Sequence, residues 1–124
     1  MTNPSEVHDR PWLYAVHDQE FASSDKSGKW LLFFSPEYID EWWGKIAAAT
    51  LSGDLGPVSK VSTMFPTNYD KRRKVICVYT WDVDDYDDVM RVRGALRDLG
   101  VTWPTSYKTD AMSASGISGG LYRV

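Results

Sequence analysis

Cationic side chains next to aromatic ones are the residues of this sequence whose types and spacing best suit chemistry. Lys29 precedes Trp30, Lys108 follows Tyr107, and Lys60 lies in a stretch rich in β-branched residues. Ammonium and guanidinium groups donate charge-assisted hydrogen bonds to phosphate, and aromatic rings stack on a nucleobase. The pattern therefore favours an anionic ligand that carries a ring. The structural alternative is that each long cation extends along apolar surface to reach water.

Further candidates lie on two predicted helices and after the last Tyr–Lys pair. Aromatic residues make up 14% of the chain, with six Trp and seven Tyr, which is more than a core of this size usually needs. The predicted ligand-binding residues are Lys29, Trp30, Trp43, Lys60, Arg91, Arg93, Tyr107, Lys108 and Asp110. We assign no catalytic residue and no metal ligand, and we expect no cofactor.

Other reactive residue types are given structural interpretations. Cys77 lies between apolar residues of a predicted strand, where an inert side chain is expected. His17 lies in a polar loop, where a solvated imidazole is favoured over a general acid or base. The acidic run from Asp82 to Asp88 lacks the glycine and final glutamate of a calcium loop, so we interpret it as a helix cap. The basic run Lys71–Lys74 is interpreted as a solvated hairpin tip.

Length, charge and hydropathy limit the class of protein. The 124 residues suffice for one domain, with residues 1–10 predicted to be a flexible tail and 11–124 a single α+β domain. The net charge of −3 has the opposite sign from that of a general nucleic-acid binder. One cysteine excludes a disulfide framework, and the longest apolar run, Trp30–Phe34, is too short to cross a membrane. We therefore expect a cytoplasmic protein with no membrane partner.

Hydrophobic periodicity predicts six strands and two helices in the order β-β-α-β-β-α-β-β. Ser35-Pro36-Glu37 is a helix start, and the second helix opens in the acidic run and ends at Gly100. The strands are predicted at 12–16, 29–34, 58–64, 75–80, 103–107 and 121–124. This order indicates a curved antiparallel sheet with two helices packed on one face, which leaves the other face open for a ligand.

The segment Ala111–Gly120 consists almost wholly of small residues and contains three Ser and three Gly. Because it can bury little apolar surface, it is predicted to be mobile. It directly follows Lys108 and Asp110, and the backbone amides of such loops suit phosphate oxygens, so we expect it to close over the ligand. The alternative is a flexible connection to a weak final strand.

Several ordered segments resemble one protein family. They are Gly28–Leu32, the helix around Trp43, Leu55-Gly56 with Lys60–Ser62, Val75–Thr80, Arg91–Arg93 with Leu96-Arg97, and Tyr107-Lys108 with Asp110 and Gly116. Over about residues 28–124 the chain resembles the basophilic-leukaemia-expressed protein family, whose fold is similar to that of the cap-binding translation initiation factor. The resemblance implies the scaffold on which cap-binding factors stack a methylated base between tryptophans and hold its phosphates with basic side chains. It also implies an alternative activity, that of a phosphothreonine lyase.

The leading hypothesis is non-catalytic binding of a nucleotide or nucleotide-like phosphorylated ligand, with a role in sequestering or sensing a signal. Nucleic acid is a partner that the net charge does not favour. The first alternative is a phosphothreonine-lyase-like enzyme, with Lys60 or Lys108 as the base, Arg91 or Arg93 as the phosphate clamp and His17 as the acid. The second alternative is a protein-interaction domain with exposed Trp rings as anchors.

Overall fold

Six antiparallel strands form one curved sheet in the computed structural model, which describes residues 2–66, 73–116 and 119–124. The strands are β1 (Trp12–Val16), β2 (Gly28–Phe34), β3 (Val58–Ser62), β4 (Lys74–Thr80), β5 (Ser106–Thr109) and β6 (Tyr122–Arg123). The helices are α1 (Pro36–Leu51), α2 (Tyr86–Asp98) and the short α3 (Asp110–Ala114). Within the described ranges, no helix is both long and apolar enough to cross a membrane.

The predicted fold class is confirmed, and the strand order adds what the sequence did not show. The sheet runs β1-β3-β4-β2-β5-β6, with β3 and β4 paired as the predicted hairpin. Strands β1 and β2 are not neighbours, because the connection of residues 17–27 passes over two intervening strands instead of forming a tight turn. Strand β5 starts at Ser106, three residues later than predicted, and α3 follows it directly.

Helix α1 begins where its sequence predicts and buries one apolar stripe. Ser35 is the N-cap residue and Pro36 occupies the first turn; the Ser35 carbonyl, not its hydroxyl, accepts a hydrogen bond there, from the Tyr38 amide at 3.1 Å. The Thr50 and Ser59 hydroxyls lie 2.7 Å apart in the core and join α1 to β3. The buried stripe consists of Ile39, Trp43, Ile46, Ala47, Ala49 and Thr50.

Helix α2 confirms the interpretation of the acidic run as a cap. The Asp85 side chain accepts a hydrogen bond from the Asp88 amide at 3.2 Å. The buried face of α2 is formed by Val89, Val92, Arg93 and Leu96. Tyr86, the first residue of α2, is 54% exposed, and its ring meets that of Tyr122 edge to face at 5.7 Å.

The core lies between these two helices and one face of the sheet. The Trp30 indole N–H donates to the Val89 carbonyl at 3.1 Å, and its ring meets that of Tyr107 edge to face at 5.1 Å. The hydroxyls of Tyr107 and Thr80 lie 2.6 Å apart. A Cβ atom at Gly28 would lie 2.3 Å from the Tyr107 hydroxyl oxygen, so only glycine fits beside this ring. Trp30 and Tyr107 are therefore central packing residues.

The segment predicted to be a flexible tail contacts α1 and the residues that follow β3 along part of its length. Pro4–Glu6 forms a 3-10 turn, and the amide and hydroxyl of Ser5 donate to the Asp40 carboxylate. Val7 is buried, and its carbonyl accepts a hydrogen bond from the Met64 amide at 2.9 Å. These contacts place residues 4–7 against the domain, while their mobility stays a prediction.

Arg93 is a buried cation with a structural role. Its guanidinium donates to the backbone oxygens of Val101, Trp103 and Val124 at 2.9, 2.8 and 2.9 Å. Burial lowers its pKa, and the neighbouring Arg97 acts in the same direction. One side chain thus ties α2 to the segment before β5 and to Val124, the residue after β6.

We predict that Arg93→Lys destabilises the fold by about 2–3 kcal/mol, because one ammonium cannot reach three carbonyls and buried acceptors lose their donors. Urea unfolding measures the change. Arg97→Lys, on the exposed face of the same helix, is the matched control and should change stability by less than about 0.5 kcal/mol. Equal effects of the two substitutions would contradict the assignment.

Candidate ligand-binding site

A cavity lies on the face of the sheet opposite α1 and α2. Its volume is ≈ 630 Å³, within the range of about 300–1,000 Å³ that small-molecule sites occupy. Successive residues of a strand point to opposite faces of the sheet. The residues that alternate along each strand with the core residues therefore point toward this cavity. Its lining includes Trp12 of β1, Lys60 of β3, Val75 and Cys77 of β4, and Leu31 and Phe33 of β2.

Two cation–aromatic pairs lie in the wall of this cavity. The Lys60 ammonium is 4.0 Å from the ring centroid of Trp12, and the Arg73 guanidinium carbon is 4.5 Å from that of Phe33. Phe33 is 44% exposed, and Trp12 is half-buried. The cavity therefore combines ring surface that a ligand can reach with positive charge beside it.

Lys29 is held at the cavity by an ion pair with Asp110. Its ammonium lies 2.6 Å from a carboxylate oxygen of Asp110 and 3.3 Å from the Ser113 hydroxyl. The Ser27 hydroxyl donates to the other Asp110 oxygen, and the Asp110 amide donates to the Ser27 carbonyl at 2.9 Å. Asp110 thereby fixes the direction of Lys29 and attaches the start of α3 to the beginning of β2.

Burial shapes the electrostatics of the cavity floor. It lowers the pKa of Lys60, and the nearby charge of Lys29 adds to this effect while Cys77 opposes it. It raises the pKa of the Cys77 thiol to about 11, so this thiol stays protonated at neutral pH. Burial also raises the pKa of Tyr79, which lies outside the cavity lining with its ring centroid 5.7 Å from the Lys60 ammonium. Charges at this floor therefore act on a ligand through a medium that screens them less than water does.

The structure brings part of the predicted site together. Lys29, Lys60 and Asp110 meet at or beside the cavity, and Lys108 pairs with Lys29 in the register of β5 and β2. Lys108 therefore lies on the same face of the sheet. These four positions form one cationic region with a single carboxylate at its margin.

Four predicted site residues lie in the core instead, and the structure does not bring them to the cavity. Trp30 and Tyr107 are 0% exposed, Trp43 is 3% and Arg93 is 2% exposed. The physical reason is the two-residue period of the strands, which turns Trp30 and Tyr107 toward the helices. Trp43 and Arg93 lie on the helix faces that cover them.

Arg91 and His17 are also placed away from the cavity. The Arg91 guanidinium donates to the Leu55 carbonyl at 2.9 Å and to the Asp88 carboxylate at 3.0 Å, so it holds backbone on the helix side. A ring nitrogen of His17 lies 3.4 Å from the Leu51 carbonyl, at the end of α1. Neither residue is in position to clamp a phosphate or to act as an acid at the cavity.

Sequence reasoning missed Trp12, Phe33 and Arg73. The alternation within β2 would have predicted Phe33, because it shares a face with Lys29. Trp12 joins the site only through the pairing of β1 with β3, which sequence periodicity does not reveal. Lys71 and Arg72 of the basic run lie outside the described residues. Lys74, interpreted as solvated, is buried and donates to the Thr63 carbonyl at 2.8 Å.

The start of the segment 111–120 is helical, which corrects the expectation of an irregular loop there. Helix α3 includes Ala111–Ala114, and the Thr109 hydroxyl caps it by accepting from the Met112 amide at 3.0 Å. Residues 117 and 118 lie outside the described part of the chain. Mobility of the segment and its closure over a ligand stay predictions.

Comparison with protein families identifies a match over most of the chain. The family described as "Basophilic leukemia-expressed protein Bles03" matches residues 10–114 of the chain. The match includes β1 to β5 and therefore every cavity residue named above.

Comparison with solved structures identifies cap-binding factors that share the fold. Schistosome eIF4E complexed with m7GpppA and 4E-BP has a TM-score of 0.74 at 13% identity, over 100% of this chain and 75% of that one. C. elegans eIF4E-3 in complex with the 4E-binding protein Mextli and cap analog has a TM-score of 0.62 at 18% identity, over 80% and 57%. Ascaris suum eIF4E-3 with m2,2,7G cap has a TM-score of 0.58 at 16% identity, over 80% and 61%.

We predict that Asp110→Asn destabilises the protein by about 1–3 kcal/mol, because it leaves the Lys29 ammonium without its counter-charge. The double variant Lys29→Met/Asp110→Asn should recover part of this loss, since it removes the unpaired charge. Denaturant unfolding of both single variants and the double variant gives the coupling energy. Additive losses would show that the two side chains do not depend on each other.

Proposed function

The chain belongs to the basophilic leukemia-expressed protein Bles03 family, and we propose that it binds a nucleotide or nucleotide-like phosphorylated ligand on the open face of its sheet. The family match confirms the resemblance predicted from the sequence, and the shared fold of the cap-binding factors confirms the predicted architecture. The observation that carries the proposal is one cavity of ≈ 630 Å³ whose wall holds both aromatic rings and cations.

Each part of such a ligand has a counterpart in the cavity. Trp12 and Phe33 offer ring surface for a base, and the apolar floor of Leu31, Val75 and Cys77 excludes water beneath it. The ammonium of Lys60 and the guanidinium of Arg73 are donors for phosphate oxygens. That eIF4E structures of this fold contain m7GpppA or another cap supports the nucleotide class.

Affinity from these groups requires no catalytic machinery. A base stacked on an aromatic side chain contributes about 1–3 kcal/mol, and hydrogen bonds to charged groups contribute about 1.5–3 kcal/mol each. A micromolar complex needs about 8 kcal/mol in total, which one stacked ring and three phosphate contacts reach at the upper end of these ranges and the lower end of the association cost. Sequestering or sensing a phosphorylated signal is the role consistent with such binding.

Isothermal titration with mono-, di- and cyclic nucleotides tests this function. We predict micromolar binding of at least one nucleotide, weakened about 5- to 100-fold by Trp12→Leu because stacking is lost. Trp81→Leu is the matched control, because Trp81 is 40% exposed and bonds to Asp18 outside the cavity. If the folded protein binds no nucleotide of the panel below millimolar concentration, the proposed function is wrong.

One observation favours a second candidate, elimination of phosphate from a phosphothreonine peptide. This reaction needs a lysine with a lowered pKa as its base, and burial lowers the pKa of Lys60 in the cavity. The acid proposed for it, His17, lies at the end of α1 and does not line the cavity.

A phosphate-release assay on phosphothreonine peptides separates the two candidates. For the binding function we predict no turnover above the rate of the peptide alone. Release that disappears in Lys60→Ala but persists in Lys108→Ala would establish the lyase and identify its base. Binding of the same peptide without release would keep the binding function and extend its ligands to phosphopeptides.

A further inference from the structure

The charge of the cavity lining has one sign. Among the described residues that line it, every ionisable side chain of the Asp, Glu, Lys or Arg type is a cation: Lys29, Lys60, Arg73 and Lys74. The Asp110 carboxylate lies beside this lining and is already paired with Lys29 at 2.6 Å. The lining therefore stabilises a bound anionic group. It repels a bound cationic group, because no carboxylate among the described lining residues offsets the positive charge.

The aromatic rings of the cavity also lie beside positive charge. The Lys60 ammonium lies 4.0 Å from the Trp12 centroid, and the Arg73 guanidinium carbon lies 4.5 Å from the Phe33 centroid. An aromatic face attracts a cation through its negative quadrupole, and here side chains of the protein already supply that cation. A ligand ring that stacks beside Trp12 or Phe33 therefore lies close to a fixed positive charge.

Two kinds of base respond differently to this arrangement. An uncharged purine presents nitrogen and oxygen acceptors to the lysine and guanidinium donors. A purine alkylated at N7 carries a positive charge on the ring and has lost the N7 acceptor. Its ring would need an aromatic face free of cations, or a carboxylate, to offset the repulsion from Lys60 and Arg73.

Building on the proposed nucleotide function, we propose that this cavity selects phosphorylated ligands with an uncharged ring and discriminates against rings with a fixed positive charge. The selectivity arises from the ammonium of Lys60 over Trp12 and the guanidinium of Arg73 over Phe33. The cavity would thus share its scaffold with cap-binding factors and differ from them in the charge of the base that it accepts.

Paired titrations with GDP and N7-methyl-GDP test this selectivity. They are carried out by calorimetry in a mildly acidic buffer, where the methylated ring keeps its charge. We expect the methylated nucleotide to bind at least about tenfold more weakly, a ratio that corresponds to about 1.4 kcal/mol. Equal or tighter binding of N7-methyl-GDP would overturn the selectivity and leave the nucleotide-binding function intact. Absence of binding by both nucleotides and by the wider panel would overturn the function itself.

Lys60→Met identifies the source of the discrimination, because it removes the ammonium and keeps an unbranched side chain over Trp12. Both nucleotides lose a phosphate donor, so the measured quantity is the ratio of their affinities, which should fall severalfold toward one. Lys45→Met is the matched control: its ammonium lies 4.7 Å from the centroid of Trp42, on the helix side of the molecule, and its removal should leave the ratio unchanged.

Arg73→Gln provides an independent variant at an exposed position, where loss of folding is not expected. It should also lower the ratio, through the pair with Phe33. Circular dichroism and urea unfolding establish that each variant is folded before titration. A ratio unchanged in both folded variants would overturn the electrostatic origin of the selectivity.

Discussion

The two-residue period of β2 is the constraint on which the core and the cavity both depend. Trp30, Leu32 and Phe34 are buried under the helices, while Lys29, Leu31 and Phe33 line the cavity on the opposite face. The strand lies between β4 and β5, so its position is fixed from both sides by hydrogen bonds. A shift of one residue would place Lys29 in the core and Trp30 in the cavity, and both changes are unfavourable. The packing of the fold therefore determines which groups a ligand can reach.

The helix side of the protein is apolar with a few paired polar groups, and the open face is cationic with a few rings. Arg93 illustrates the first kind of cation, since it is buried on the helix side and its guanidinium donates to three backbone carbonyls there. Lys60 illustrates the second, because its ammonium rests over Trp12 in the cavity wall. Lys29 is intermediate: it lines the cavity, but Asp110 already neutralises it. A ligand phosphate at Lys29 would share that cation with a carboxylate, whereas Lys60 and Arg73 have no carboxylate partner in the described structure.

Much of the fold could be predicted from the sequence, because its signals are local. Ser35-Pro36 and Asp85 mark helix starts, and alternation or apolar runs mark β1 to β4. The face of the sheet on which a strand residue lies is harder to predict from the sequence when both of its neighbours are apolar. Trp30 and Phe33 belong to one unbroken apolar run, and only the two-residue period counted from Lys29 assigns the two rings to opposite faces of the sheet. Trp12 and Lys60 meet through long-range register between β1 and β3, and such register is a property of the assembled sheet.

Strand β1 is at the edge of the sheet, paired with β3 on one side and with no strand of the described structure on the other. It also contributes Trp12, the largest ring of the cavity. Edge strands open more readily than central ones, since fewer hydrogen bonds must break. In the binding mode proposed above, each opening of β1 would remove the Trp12 ring from the cavity, so only protein with this strand docked would offer that ring to a ligand. A ligand held by Trp12 must therefore slow amide exchange along β1, at positions that it never touches.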